Sequence, residues 1–134
     1  MTLDDARVQK FLASKQTVVL ATVLPDGAPL VAAMWVLHDP GTLTMISEAN
    51  TQKVHNLRRD PRVSVVAEAT DPIRGMALQG RVEFLADGAE RRALVDRFHA
   101  KYRGLAALWK GRAMPADRVM FRIGPERVRS WGLD

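Results

Sequence analysis

TVVLATVLPDGAPLVAAMWVL, residues 17–37, decides the fold. Its first run, 17–23, is β-branched and apolar throughout, which reads as a strand buried on both faces. Pro25, Asp26 and Gly27 then make a tight turn, because proline presets φ and glycine accepts a positive one. The second run, 29–37, comes back as a strand. HDPG, 38–41, turns the chain again, and TLTMIS, 42–47, reads as a third strand. Three strands joined by short turns predict an antiparallel meander.

Upstream, Thr2 and Asp5 have the spacing of a capping box, and Val8, Phe11 and Leu12 share one face, which predicts a helix over about 4–14. Downstream, NTQKVHNLRR predicts a helix over 50–59, with Pro61 beyond its end. RVSVVAEA, 62–69, and GMALQGRVEFL, 75–85, read as further strands, and Gly80 inside the second marks a bulge or a close backbone approach. Asp87 and Glu90 form a second capping pattern ahead of a helix over 88–103. Residues 104–117 fit a short helical turn or a loop. RVMFRIG, 118–124, is a sixth strand, which 127–131 extends or re-pairs. Many strands, short hairpins and few crossover helices predict a mainly β fold, an antiparallel barrel with peripheral helices.

The 134 residues are 47% hydrophobic and 26% charged, a globular composition that suits one domain over 1–134. No apolar run approaches the ~20 residues that cross a bilayer, so no membrane insertion is expected. MTLDDARVQK has acids where a signal peptide has bases, which points to a cytoplasmic protein. The absence of cysteine removes disulfides, thiolate zinc sites and cysteine nucleophiles together. A net charge of +5 favours an anionic partner. The bases are spread over several elements and the aromatic residues are few, which argues against nucleic acid.

His38, His55 and His99 are scattered, with no metal-ligand spacing, so neither a metal site nor a catalytic residue is nominated. His38, in a turn, and His99, on the polar side of a helix, are expected to be solvated. Residues 51–62 carry four bases, Lys53, Arg58, Arg59 and Arg62, against one acid, Asp60. A helix start with Ser47, Asn50, Thr51 and Lys53 around it suits a phosphate, while Arg58 and Arg59 lie beyond the first turn. An ordinary solvated basic helix fits the same residues. Ala32 and Ala33 would let a flat ligand approach the strand backbone, or would simply pack in a core.

Four blocks carry a family resemblance: LATVLPDGAPLVAAMWV (20–36), ISEANTQKVHNLRRDPRVSVV (46–66), LQGRVEFL (78–85) and RVMFRIGPERVRSW (118–131). Over about 14–132 the chain resembles the split-barrel flavin-binding proteins of the pyridoxamine 5′-phosphate oxidase-like superfamily. Within it the chain is similar to the small, probable F420-dependent branch, the flavin/deazaflavin oxidoreductases. The run from Lys53 to Ser64 is the most specific part.

The resemblance implies a homodimer of six-stranded antiparallel split β-barrels with two cofactor sites between the protomers. It places the cofactor phosphate at Ser47, Asn50, Thr51 and Lys53. The ring would lie against the second and third strands, about Pro29 to Ala33 (Pro29, Leu30, Val31 and Ala32 foremost) and Met45 to Ser47. The partner's 73–79 segment, with Arg74 and Met76, and its Trp131 would close the site. It implies an oxidoreductase that passes a hydride to a small conjugated acceptor such as a quinone, an enone or a tetrapyrrole. The cofactor favoured is F420, with FMN as the alternative. The other functions implied are an FMN-dependent oxidase of the pyridoxamine-phosphate type and a non-catalytic flavin or haem binder. Two positions depart from the pattern: Thr51 and Gln52 replace frequent bases, and Gly75 replaces a frequent aromatic residue. The first leaves fewer charges for a long anionic tail, and the second predicts a more open pocket. Arg127 and Arg129 do not reproduce the spacing of the basic motif that holds the oxidase substrate.

Overall fold

The computed structural model describes residues 1–133. In chain order the elements are α1 (Ala6–Ala13), β1 (Thr17–Val23), β2 (Pro29–Trp35), β3 (Leu37–Asp39), β4 (Thr42–Glu48), α2 (Gln52–Arg59), β5 (Arg62–Ala69), β6 (Arg74–Leu85), α3 (Ala89–Lys101), α4 (Leu105–Trp109) and β7 (Arg118–Trp131). The strands form one antiparallel sheet in the order β2-β1-β5-β6-β7-β4-β3. β2 and β3 lie at opposite edges, yet only Val36 separates them in the chain. A sheet with that connection must curl until its edges approach, and the result is a half-barrel with the helices at its periphery.

This corrects the expected strand count from six to seven, because 29–37 is two strands. Side chains at the end of α3 break it. The Tyr102 hydroxyl accepts the Val36 N–H at 2.8 Å and donates to the Gln16 carbonyl at 2.6 Å, and Lys101 Nζ donates to the Val36 carbonyl at 2.7 Å. With both main-chain groups of Val36 taken, the ladder stops there. Burial raises the Tyr102 pKa, so the phenol keeps the proton that it donates. The three-strand meander is corrected too: β1 pairs β2 and β3 pairs β4, as two separate hairpins.

β1 is buried on one face only. Val18, Leu20 and Thr22 point into the curl, while Val19 is 39% exposed. The expectation of burial on both faces therefore fails for the single protomer. Leu12, Leu20, Met45, Met76, Phe121 and Ile123 fill the inside of the curl. A second cluster packs Val95, Phe98, Tyr102 and Leu105 against Leu37 and Met120.

Both capping patterns resolve differently from their sequence reading. Asp5, not Thr2, caps α1: its carboxylate accepts the Arg7 N–H at 2.8 Å, and the hydrogen bonds from Arg7 lower its pKa to about 2. α3 starts at Gly88 without a side-chain cap, because Asp87 pairs with Arg91 and Arg92 and Glu90 with Arg122. The open stretch 104–117 contains α4, and β7 runs as one strand through 118–131. The register of β6 on β7 shifts at Gln79 and Gly80, the bulge expected there. A Cβ on Gly80 would lie 2.3 Å from the Gly124 carbonyl oxygen, so the close approach demands glycine.

Two histidines are less solvated than expected. His38 is half-buried, with Nδ1 2.7 Å from Gln9 Oε1, and burial lowers its pKa. His99 is buried, donates from Nε2 to the Arg112 carbonyl at 2.8 Å and sets its ring edge-on to Trp109. No helix among the described residues is long and apolar enough to cross a membrane.

Tyr102→Phe removes the hydroxyl and leaves the Val36 N–H and the Gln16 carbonyl without their partner. The variant is expected to lose roughly 1–3 kcal/mol of unfolding free energy. A urea melt with an unchanged midpoint would show that this clasp does not hold the two edges.

Candidate functional site

β4 ends at Glu48 and α2 begins at Gln52, so a short polar corner joins a buried strand to a helix start. Thr51 occupies the N-cap but does not cap: its Oγ1 donates back to the Glu48 carbonyl at 3.0 Å. The first-turn N–H groups of α2 are left without a side-chain acceptor, at the positive end of the helix dipole. Ser47 is buried beside them, with its Oγ 3.5 Å from Thr51 Oγ1.

The rest of α2 is fixed in place. Asn56 is wholly buried, donates to Thr22 Oγ1 on β1 at 3.0 Å and accepts from Gln52 at 2.8 Å. Arg59 donates to the Val23 carbonyl, and the Arg58 guanidinium lies 4.4 Å from the Phe84 ring centroid. Two of the helix's bases thus hold it to the sheet. Among the described residues, the Lys53 side chain makes no hydrogen bond, ion pair or ring contact.

Lys53 borders a cleft of about 420 Å³. Ala33, Met34 and Trp35 of β2 line it with Ile46 and Ser47 of β4, and Phe98, Leu105, Leu108 and Trp109 from α3 and α4 supply the apolar end. Arg118 also lines it but is already paired, with Glu48 at 3.5 Å and Asp117 at 2.8 Å. The arrangement suits a flat apolar body with an anionic group at one end, and the volume falls in the range of about 300–1,000 Å³ typical of ligand pockets.

Of the residues read from the sequence, the fold brings Ala33, Ile46, Ser47, Thr51 and Lys53 together on this cleft. Asn50 is not among its lining residues, and its Oδ1 is 3.2 Å from His55 Nε2. Pro29, Leu30, Val31 and Ala32 do not line the cleft either. Pro29 and Val31 are exposed, and Leu30 and Ala32 alternate to the inner side. The cleft uses the following three residues because the C-terminal end of β2 is the end that Val36 ties to β4's side of the curl.

Arg74, Met76 and Trp131 lie away from the cleft of their own protomer. The Met76 side chain is wholly buried in the core. Arg74 donates to the Pro72 carbonyl at 2.8 Å. Trp131 pairs across the ladder with Gly75 and donates from Nε1 to Glu68 at 3.2 Å. A Cβ on Gly75 would meet the Trp131 ring at 2.5 Å. The more open pocket expected at Gly75 is therefore corrected: the neighbouring strand's indole fills that space.

Cross-strand register builds a continuous outer face. Ala33, Val19, Val66, Ala77 and Arg129 form one row, and Val31, Ala21, Ser64, Gln79 and Arg127 form the next. Val31 is 65% exposed there.

A family model described as pyridoxamine 5′-phosphate oxidase matches residues 4–132. The chain belongs to this family. Among solved structures, the conserved hypothetical protein Rv2991 from Mycobacterium tuberculosis is 32% identical, with a TM-score of 0.80 over 95% of this chain and 83% of that one. A FAD-binding protein from Mesorhizobium loti is 26% identical, with a TM-score of 0.73 over 90% and 88%. An F420 reductase is 29% identical, with a TM-score of 0.62 over 85% and 89%. No curated protein matches the sequence.

Within this family fold, the sequence reading missed Trp35, Leu108, Trp109 and Arg118 as cleft residues. Trp35 lies two positions past the small pair Ala32 and Ala33, on the same open side as Ala33. Leu108 and Trp109 lie in the stretch whose sequence left helix and loop open.

The bases of α2 divide by job, and paired variants separate them. Arg58→Ala is expected to lower stability by about 0.5–1 kcal/mol through the lost ring contact. Lys53→Ala is expected to leave stability unchanged and weaken FMN binding roughly tenfold to a hundredfold, about 1.5–3 kcal/mol. Equal FMN affinity for Lys53→Ala and the parent protein in a fluorescence titration would remove Lys53 from the site.

Proposed function

We propose that this protein is an oxidoreductase that holds a flavin-type cofactor in the cleft beside α2, with the deazaflavin coenzyme F420 favoured over FMN. The carrying observation is Lys53, a cation without a partner among the described residues, beside an uncapped helix start and the Ser47 and Thr51 hydroxyls. These groups fit a phosphate, and the apolar end fits a ring. When bound, such a cofactor supplies the hydride chemistry for a small conjugated acceptor such as a quinone, an enone or a tetrapyrrole. The protein's own residues bind and orient: Lys53 and the first-turn N–H groups take the anion, while Phe98, Leu105 and Leu108 keep water from the ring end. The similarity to an F420 reductase supports the choice of cofactor. FMN is the second reading, favoured by the small charge of the polar end, where Arg118 is already neutralised and Lys53 alone is free among the described residues.

The homodimer belongs to the same proposal. Val19, Val31 and Val66 leave an apolar face open to water in the single protomer, and it continues through Ala33 toward Trp35 at the rim of the cleft. A second copy on this face would cover it and deepen the cleft.

Adding FMN and F420 separately to the purified protein tests the cofactor. Tighter uptake of F420 than of FMN, followed by its fluorescence, is the expected result. A yellow preparation carrying FMN would reverse the order, and no uptake of either would end the reading. Val66→Glu tests the dimer. Its site is open in the protomer, so the fold should survive while sedimentation shifts from dimer to monomer. A monomeric parent protein would refute the second copy.

A further inference from the structure

Trp35 is on the open side of β2, yet it does not stand alone. Its indole stacks on the Tyr102 ring with centroids 4.3 Å apart and planes 3° from parallel. Tyr102 is itself buried and fixed by its hydroxyl to the Val36 and Gln16 main chain. The indole is therefore held in one orientation by a partner that is itself anchored. One face is covered, and the residue remains 39% exposed at the cleft. The exposed area is thus the opposite face and the ring edges.

We infer that the free face of Trp35 is the stacking platform for the planar ring of the flavin-type cofactor, an inference that rests on the function proposed above. Three observations carry it. The platform shares the cleft with Lys53, so the anion-binding end and the aromatic surface serve one ligand. An immobilised indole loses little conformational freedom when a ring stacks on it. Ala33, two residues back on the same side of β2, is too small to obstruct a flat ligand.

An indole in contact with a flavin quenches its emission by donating an electron to the excited ring. The test uses FMN and F420, each added to cofactor-free protein, and lumiflavin as a ring without a phosphate. The ligand bound to the parent protein should be dark. Trp35→Phe should restore much of its emission, because phenylalanine is a far poorer electron donor; it also keeps a ring on Tyr102, so the fold is retained. Trp109→Phe, on the apolar wall of the same cleft and set edge-on to His99, should restore far less emission. Trp35→Leu should weaken FMN and lumiflavin by the same factor, roughly tenfold. Lys53→Ala should weaken the anionic F420 and FMN and spare lumiflavin. A bound ligand equally dark in Trp35→Phe and in the parent would overturn the platform while leaving the cofactor reading intact. No binding of any of these rings by the parent protein would overturn both.

Discussion

Val36 is the residue on which the architecture turns. It joins the two edges of a seven-stranded sheet, and its main chain is held by Tyr102 and Lys101 rather than by a neighbouring strand. A flat sheet is impossible with a one-residue link between its edges. The curl that results encloses the main core and brings the end of β2 near β4 and α4. The cleft exists because of that approach. Its floor, its polar corner and its apolar wall come from segments that are distant in the chain.

The same clasp links fold to site through one side chain. Tyr102 closes the strand break with its hydroxyl and supports Trp35 with its ring. α3 therefore determines both where β2 ends and how its last residue is presented. The second core, formed by Phe98, Leu105, Leu37 and Met120, holds α3 and α4 against the sheet at this point.

The basic helix shows how tertiary contacts sort charges that look alike in sequence. Arg58 covers Phe84, Arg59 reaches the Val23 carbonyl, and Arg62 pairs with Asp60. Asn56 fixes the helix axis through Thr22. Only after those pairings does Lys53 stand out, because it borders the cleft and no acid among the described residues pairs with it. The exposed valines of β1, β2 and β5 follow the same logic in reverse. Their apolar character reads as core in sequence, and the protomer leaves them at the surface.

The sequence alone determined the local units. β-branched runs and turn residues located the strands, the Gly80 bulge followed from a glycine inside a strand, and the spacing of Ser47, Thr51 and Lys53 marked the polar corner. Those features depend on nearest neighbours, so they are written in the chain. Tertiary structure alone decided the rest. The strand break at Val36 comes from side chains more than sixty residues away, and the cover over Gly75 comes from Trp131 on the adjacent strand. The role of Trp35 depends on Tyr102 in the same way. Local propensity carries no information about which distant group will occupy a backbone hydrogen bond or the space above a glycine.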